Sequence, residues 1–97
     1  MTVDLSRHVG RYQRASLRYD VSLSEDALRA VVTVTGALAV IDEDGPYDYE
    51  LHPVDSEGNA FVCRLFDHEP WTSVLFDQFP DGTPYLYRSG RATPKVT

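Results

Sequence analysis

The chain has few of the residues that cross-link or anchor a protein. Its 97 residues include one cysteine, Cys63, so no disulfide can form within the chain. No apolar run approaches the ~20 residues of a membrane span. The N-terminal sequence MTVDLSRH also lacks the apolar stretch of a signal peptide. We therefore expect a soluble domain that folds without oxidation. The missing signal peptide favours the cytoplasm, and the lone cysteine leaves the compartment open.

Positive charge is also scarce. Nine Lys and Arg residues stand against fifteen Asp and Glu residues, which gives a net charge of −6 at pH 7. Nucleic acids and anionic membranes require a net basic face, so we expect neither as a partner. The six glycines stand singly at turns, which excludes a Gly-rich phosphate-binding loop.

The chain is rich in apolar and aromatic residues. Its hydrophobic content of 42% and aromatic content of 11% exclude a disordered chain. At this length, folding buries roughly 60–65% of the unfolded chain's surface, which is enough for one core without disulfides. We therefore predict one domain that covers residues 1–97.

Alternating apolar and polar residues predict that this domain is all-β. The alternation runs along segments bounded by turn residues, at positions 9–14, 17–23, 28–35, 47–52 and 61–65. We expect a small antiparallel β-barrel or a strongly bent sandwich of about eight strands. A short helical segment is predicted at residues 4–9, with Thr2 or Asp4 as its cap. Residues 37–41 fit either a short strand or a helical turn.

The predicted barrel is organised around residues 71–94. Two strands flank the Pro-Asp-Gly turn at residues 80–82, where Pro fixes φ, Asp bonds nearby backbone and Gly supplies a positive φ. A last strand follows residues 89–90. On the return strand we expect Tyr85 and Tyr87 to face inward. The predicted core consists of Leu17, Tyr19, Val21, Leu28, Ala30, Val32, Val34, Tyr49, Leu51, Phe61, Cys63, Val74, Phe76, Tyr85 and Tyr87.

Histidine and cysteine are the first candidates for chemistry. Cys63 and His68 are five residues apart and His52 lies further back, but a zinc site needs three or four ligands, usually in closely spaced pairs. Cys63 lies in phase with apolar residues, which predicts a buried side chain. His52 is predicted to face outward, and His8 to lie on the N-terminal turns. Since a Cys–His nucleophile pair would need a third orienting group, we predict no catalytic, cofactor-binding or metal-binding residue, and no cofactor.

The acidic run at residues 42–44, followed by Gly45, has some likeness to a calcium-binding loop. Aligned on the glycine, the first and twelfth ligand positions fall on Val40 and Leu51. Both are apolar and cannot supply oxygen ligands. We interpret the run as a solvated loop.

Two further features leave alternatives open. The six tyrosines either fill the core, which we favour, or line a cavity for one small ligand, since a barrel of about eight strands has just enough room. The N-terminal arginines either form a local anion-binding patch or, as we favour, are separate outward-facing strand charges. These arginines are Arg7, Arg11, Arg14 and Arg18.

Five segments in order give the chain a family resemblance. They are VGRY at 9–12, TGALA at 35–39, LHPVD at 51–55, DGTPYL at 81–86 and GRATPK at 90–95. Together they resemble the C-terminal domain of serine hydrolases of the class C β-lactamase and penicillin-binding-protein family. The resemblance implies a lipocalin-like β-barrel that is appended to a catalytic domain.

The resemblance brings no catalytic residue to this chain. The family's chemistry depends on Ser-x-x-Lys, Tyr-x-Asn and Lys-Thr-Gly or His-x-Gly motifs on another domain. Here the only lysine is Lys95, three residues after Ala92, and the only asparagine is Asn59, two residues after Glu57. We therefore expect the chain to correspond to the appended domain alone, without the catalytic domain.

We therefore expect a non-catalytic accessory domain of a β-lactamase-like serine hydrolase, one that packs on or regulates a catalytic domain, most simply within the same polypeptide. Self-association into a homo-oligomer is compatible with this role. The alternative is a free-standing lipocalin-like module that binds a small apolar ligand. An enzyme in its own right is the least favoured reading, because no nucleophile–base pair or metal-binding cluster is found in the sequence.

Overall fold

A computed structural model describes residues 5–25, 27–36, 45–64 and 68–97. These residues form eight strands, and each strand pairs antiparallel with the next one along the chain. One 3-10 turn, Ser6–His8, precedes the first strand. The strands are β1 Gly10–Arg14, β2 Leu17–Ser24, β3 Ala27–Val34, β4 Tyr47–Pro53, β5 Ala60–Cys63, β6 Thr72–Gln78, β7 Pro84–Arg88 and β8 Arg91–Pro94. The all-β prediction is confirmed.

The sheet curves into a nearly closed barrel because the last strand returns to the first. The backbone N–H of Val96, just beyond β8, donates to the carbonyl of Arg11 on β1 at 2.7 Å. Gly10 makes this approach possible, since a Cβ at this position would lie 2.4 Å from the carbonyl oxygen of Thr97. Its φ of +149° is also one that residues with a side chain rarely adopt.

The barrel has two ends that differ in their connections. Because neighbouring strands are antiparallel, the β2–β3, β4–β5 and β6–β7 connections lie at one end, together with the turn Ser6–His8. The β1–β2, β3–β4, β5–β6 and β7–β8 connections lie at the other. We call these the His8 end and the Arg88 end.

No helix in the described ranges is long and apolar enough to cross a membrane.

Inward-facing side chains form one core along the barrel axis. Most of the predicted core residues belong to it, and Leu17 and Tyr49 are partly buried against it. Val34 is also only partly buried, at the strand's end. The alternation missed Leu5 and Tyr12, which complete the core at the His8 end. The buried cluster is Leu5, Tyr12, Tyr19, Val21, Leu28, Ala30, Val32, Leu51, Phe61, Cys63, Val74, Phe76 and Leu86.

The predicted orientation of the return strand β7 is wrong. We expected Tyr85 and Tyr87 to face inward, but Leu86 is the buried residue and Tyr87 is 41% exposed. The register explains the difference, because Leu86 pairs with Phe76, which itself faces the core. Side chains alternate along a strand, so a shift of one residue reverses every orientation.

The 3-10 turn closes the His8 end of the barrel. Leu5 and His8 are both buried. The His8 ring stacks on Phe76 with 4.1 Å between ring centroids, and its Nε2 lies 2.7 Å from the carbonyl oxygen of Gly58. The Tyr12 hydroxyl donates to the His8 carbonyl at 2.9 Å. Burial raises the pKa of Tyr12 to about 12, which keeps this hydroxyl protonated as a donor.

The Pro-Asp-Gly turn between β6 and β7 has the predicted geometry. The Asp81 carboxylate accepts from the backbone N–H of Thr83 at 2.9 Å, and Gly82 has a φ of +91°. The N–H of Gly82 donates to the carbonyl of Phe79 at 2.8 Å. Local bonding by Asp and a positive φ at Gly therefore define this hairpin, as the sequence indicates.

Some predictions fall outside the described residues. They concern the caps Thr2 and Asp4, the ambiguous segment 37–41, the acidic run 42–44 and the strand position of Leu65. The helical segment itself is shorter than predicted. Its N-cap position is Leu5, which makes no side-chain capping bond.

Candidate interaction face

The histidine and cysteine candidates lie apart from one another. Cys63 faces inward on β5 and is 1% exposed, with its Sγ 3.5 Å from the Thr72 hydroxyl. His52 faces outward on β4, where its Nε2 lies 3.2 Å from the carboxylate of Glu50. The wall of the barrel therefore separates the thiol from this imidazole.

The remaining histidines add no reactive cluster to this part of the chain. His8 is packed at one end of the barrel, and His68 is exposed in the β5–β6 connection. Within the described ranges, no three His, Cys, Asp or Glu side chains are grouped closely enough to hold a metal ion.

The barrel interior has little free space. Its internal cavity is lined by Tyr19, Tyr49, Cys63, Leu86 and others, and its volume is about 10 Å³. This is close to the minimum that one water molecule requires. A larger ligand would need several packed side chains to move.

The outer wall formed by β1 to β4 is polar. Asp20 on β2 accepts from Arg11 at 2.9 Å and lies 3.2 Å from Arg18. Arg29 on β3 donates from Nε to both carboxylate oxygens of Asp48 on β4, at 2.8 and 2.9 Å. The hydrogen bond from Arg29, together with its charge, holds the pKa of Asp48 below its usual value despite some desolvation. We call this surface the polar half.

This arrangement answers the question about the N-terminal arginines. Arg11 and Arg18 are outward-facing strand charges, as we favoured, but they are not separate, because both lie beside the carboxylate of Asp20. Arg7 donates to the carbonyl of Glu57 at 2.6 Å and to the Asn59 side chain at 2.7 Å. The four arginines do not form one patch.

The outer wall formed by β5 to β8 carries a row of apolar residues. One row of paired residues crosses all four strands, with Leu75 at its centre next to Tyr87. Leu75 is 42% exposed and Tyr87 is 41% exposed. We call this surface the apolar face. It consists of Ala60, Val62, Trp71, Leu75, Tyr85, Tyr87 and Ala92.

Trp71 stands at the Arg88 end of the apolar face and is 50% exposed. The guanidinium carbon of Arg64 lies 4.2 Å from the centroid of its ring. The His52 ring meets the indole edge-on at 5.8 Å between centroids. Stacking of this kind orders a large aromatic side chain in water, and Trp and Arg are the residues most enriched at the centres of protein interfaces.

Carboxylates border the apolar face at the opposite end. A shallow groove of about 560 Å³ runs beside Leu75 and Tyr87 and is lined by Asp55, Glu57 and Asp77. The backbone N–H of Ala60, with other N–H groups of the same turn, holds the pKa of Asp55 below its usual value. The rim therefore carries negative charge at neutral pH.

The sequence contained a signal for this face that the pattern analysis did not use. Leu75 interrupts the alternation on β6, because Val74, Leu75 and Phe76 are consecutive apolar residues. Once Val74 and Phe76 fill the core, Leu75 must face outward. An apolar residue in the outward phase of a strand is informative when its cross-strand neighbours are apolar too.

Comparison with known proteins does not name a family for this arrangement. No family model matches the chain, and neither a curated protein nor a solved structure matches it.

Proposed function

We propose that this domain is a non-catalytic accessory domain that packs on a catalytic domain through its apolar face. The observation that carries the proposal is the cross-strand row centred on Leu75 and Tyr87. These side chains contribute nothing to the core, so their exposure gains nothing for the isolated domain. On docking, their burial would contribute about 25 cal/mol per Å² of apolar surface removed from water.

The family resemblance supports a β-lactamase-like serine hydrolase as the partner. Its catalytic groups would all lie on the partner, and this chain would act by stabilising that domain or by limiting access to its site. The charges around the apolar face specify the partner surface further. We expect basic side chains opposite Asp55, Glu57 and Asp77.

The first test asks whether the partner lies in the same polypeptide. An antibody raised against this domain, used on a lysate of the source cells, reports the size of the native chain. A band several times heavier than the 97-residue domain supports attachment in cis. A band at the domain's own size requires a partner in trans, which the next experiment tests.

The second test compares two leucine substitutions. Leu75→Asp places a charge in the centre of the apolar face, whereas Leu23→Asp places the same charge at an exposed leucine (54% exposed) on β2. We measure the melting temperature and kcat/KM of the hydrolase domain with each variant, attached or mixed according to the first result. Leu75→Asp should abolish the effect of the domain, and Leu23→Asp should retain it.

Two outcomes would contradict the proposal. One is a hydrolase whose melting temperature and kcat/KM do not change when this domain is removed. The other is an equal loss with both variants, which would place the contact elsewhere. Analytical ultracentrifugation of the isolated domain completes the test, because it measures the oligomeric state. A dimer that Leu75→Asp disrupts and Leu23→Asp does not would mean that the apolar face binds a second copy of this chain.

An apolar ligand inside the barrel finds less support. The cavity of about 10 Å³ between Tyr19, Cys63 and Leu86 is far smaller than the ~300 Å³ or more of ordinary ligand pockets.

A further inference from the structure

A groove follows the β6–β7 hairpin from the apolar face toward the His8 end. The part beside Leu75 and Tyr87 has a volume of about 560 Å³. A second recess of about 240 Å³ lies beside Gln78 and Pro84 and reaches His8. The two recesses share four lining residues, which are Asn59, Phe76, Asp77 and Tyr85. They therefore form one continuous depression, which we call the hairpin groove.

The strand register places two different pairs of side chains along the hairpin groove. Leu75 lies opposite Tyr87, and together they form an apolar pair. Two residues further along β6, Asp77 lies opposite Tyr85, whose ring also contacts Phe79 with 4.5 Å between centroids. Side chains on one side of a strand repeat every two residues, ~7 Å apart. The groove thus offers an apolar position and, one repeat further on, a carboxylate beside an aromatic ring.

The carboxylates of the hairpin groove differ from those of the polar half in their partners. On the polar half, two aspartates lie beside arginines. Among the described residues, no ion pair includes Asp55, Glu57 or Asp77. Arg7 lies nearby, but its Nη2 donates to the carbonyl of Glu57 and to the Asn59 side chain rather than to these three carboxylates. The groove therefore combines apolar surface with uncompensated negative charge, which a cationic partner complements.

We propose that the hairpin groove binds an extended segment of the partner in which an arginine stands two residues from a large apolar side chain. Along an extended chain such side chains lie on one side, ~7 Å apart, which matches the spacing of the two pairs. The apolar side chain covers Leu75 and Tyr87, and the guanidinium lies against Asp77. Arginine suits this position better than lysine, because its planar group forms paired hydrogen bonds with a carboxylate and stacks on an aromatic ring. This inference rests on the proposed function, since the groove borders the apolar face.

The direct test is an NMR titration of the ¹⁵N-labelled wild-type domain at constant ionic strength. The probe is the peptide acetyl-Arg-Gly-Leu-Gly-Arg-amide, which carries an arginine two residues from leucine in either chain direction. The control peptide has citrulline in place of both arginines, because citrulline keeps the shape of arginine and lacks its charge. The arginine peptide should shift the backbone amides of residues 57–60, 75–78 and 85–87 and reach saturation. The citrulline peptide should bind at least about tenfold more weakly, the effect of losing a charge-assisted hydrogen bond.

Substitutions locate the bound peptide. Asp77→Asn and Glu57→Gln each remove one negative charge from the hairpin groove, whereas Glu50→Gln removes one from an exposed glutamate of the polar half (58% exposed). Asp77→Asn should weaken binding of the arginine peptide by about tenfold and Glu57→Gln by less, and Glu50→Gln should bind as the wild type does. Equal weakening by all three variants would reduce the effect to net charge and overturn the inference. No saturable shift in the groove, or equal affinity for the two peptides, would overturn it as well.

The hydrolase assay separates this inference from the accessory role itself. Leu75→Asp tests docking through the apolar face, and Asp77→Asn tests the cationic segment. Asp77→Asn should reduce the effect of the domain on the melting temperature and kcat/KM of the hydrolase, and high salt should reduce the wild-type effect. A loss with Leu75→Asp and none with Asp77→Asn would leave docking intact and overturn the cationic segment. No loss with either variant would overturn both. A wild-type dimer that Asp77→Asn dissociates would place a second copy of this chain in the groove and would also overturn the inference.

Discussion

The two halves of the barrel wall share one kind of interior and differ in their exterior. On the polar half, outward-facing positions carry ion pairs such as Arg11 with Asp20 and Arg29 with Asp48. On the other half they carry the apolar face, with Leu75 and Tyr87 at its centre. Most inward positions on both halves are apolar and buried. The interior thus accounts for the fold, and the exterior is where function has to be sought.

The difference matters because the fold places no demand on the outer phase of a strand. A polar outer residue, such as Arg29, meets water at no cost and needs no further explanation. A row of exposed aromatic or aliphatic side chains is unfavourable in water and adds nothing to the core. Single exposed apolar residues are common on protein surfaces, but a contiguous patch with charged borders is typical of an interaction site.

The largest expected effect is the difference in stability between substitutions on the inward and outward sides of β7. Leu86→Ala removes a buried side chain that pairs with Phe76 and should lower the free energy of unfolding by about 2–5 kcal/mol. Tyr87→Ala, one residue away, loses only cross-strand contacts and should cost about 0.2–1 kcal/mol. Urea denaturation of both variants measures the contrast. A larger cost for Tyr87→Ala than for Leu86→Ala would mean that β7 has the opposite orientation, and the apolar face would then lose its central residue.

This same strand shows how far the sequence alone predicts the structure. Alternation correctly predicts strands around Tyr19, Val32 and Phe61, because one buried face imposes a period of two. It fails at Tyr85 and Tyr87, where tyrosine suits either face and only the pairing of Leu86 with Phe76 decides. Local pattern specifies a strand, whereas its orientation depends on a partner that is distant in sequence.

The apolar face was harder to predict for a related reason. The apolar face is a row of residues from four strands, so no contiguous segment of sequence contains it.

A second, smaller effect concerns the line where the two halves meet, between β1 and β8. Gly10→Ala brings a Cβ against the Thr97 carbonyl and imposes an unfavourable backbone, so it should cost about 2–4 kcal/mol. Gly90→Ala is the control, because Gly90 has a φ of +78° and open space around it. It should cost only the backbone strain, about 1–2 kcal/mol. If thermal unfolding gives the same loss for both, the close approach of the C-terminal residues to β1 is not what closes the barrel.

The smallest expected effect concerns the pH dependence of stability, for which we compare one carboxylate from each half. The pKa of Asp48 lies below the ordinary value of 3.8 mainly because Arg29 hydrogen-bonds to it. That of Asp55 is lowered mainly by the backbone N–H of Ala60. Since both pKa values are lower in the folded protein, each group stabilises the fold above the unfolded pKa. That contribution is lost as the pH falls through the folded pKa.

Salt should distinguish the two carboxylates, because it screens the attraction between exposed charges. Acid unfolding is therefore measured at low and high sodium chloride for the wild type, Asp48→Asn and Asp55→Asn. The acid-side contribution of Asp48, taken as the difference from its Asn variant, should shrink in high salt. That of Asp55 depends on short hydrogen bonds within one turn, with N–H donors at 3.0 and 3.2 Å, and should persist. An equal reduction of both contributions by salt would contradict this prediction. It would mean that the attraction between Arg29 and Asp48 contributes no more to stability than the hydrogen bonds to Asp55 do.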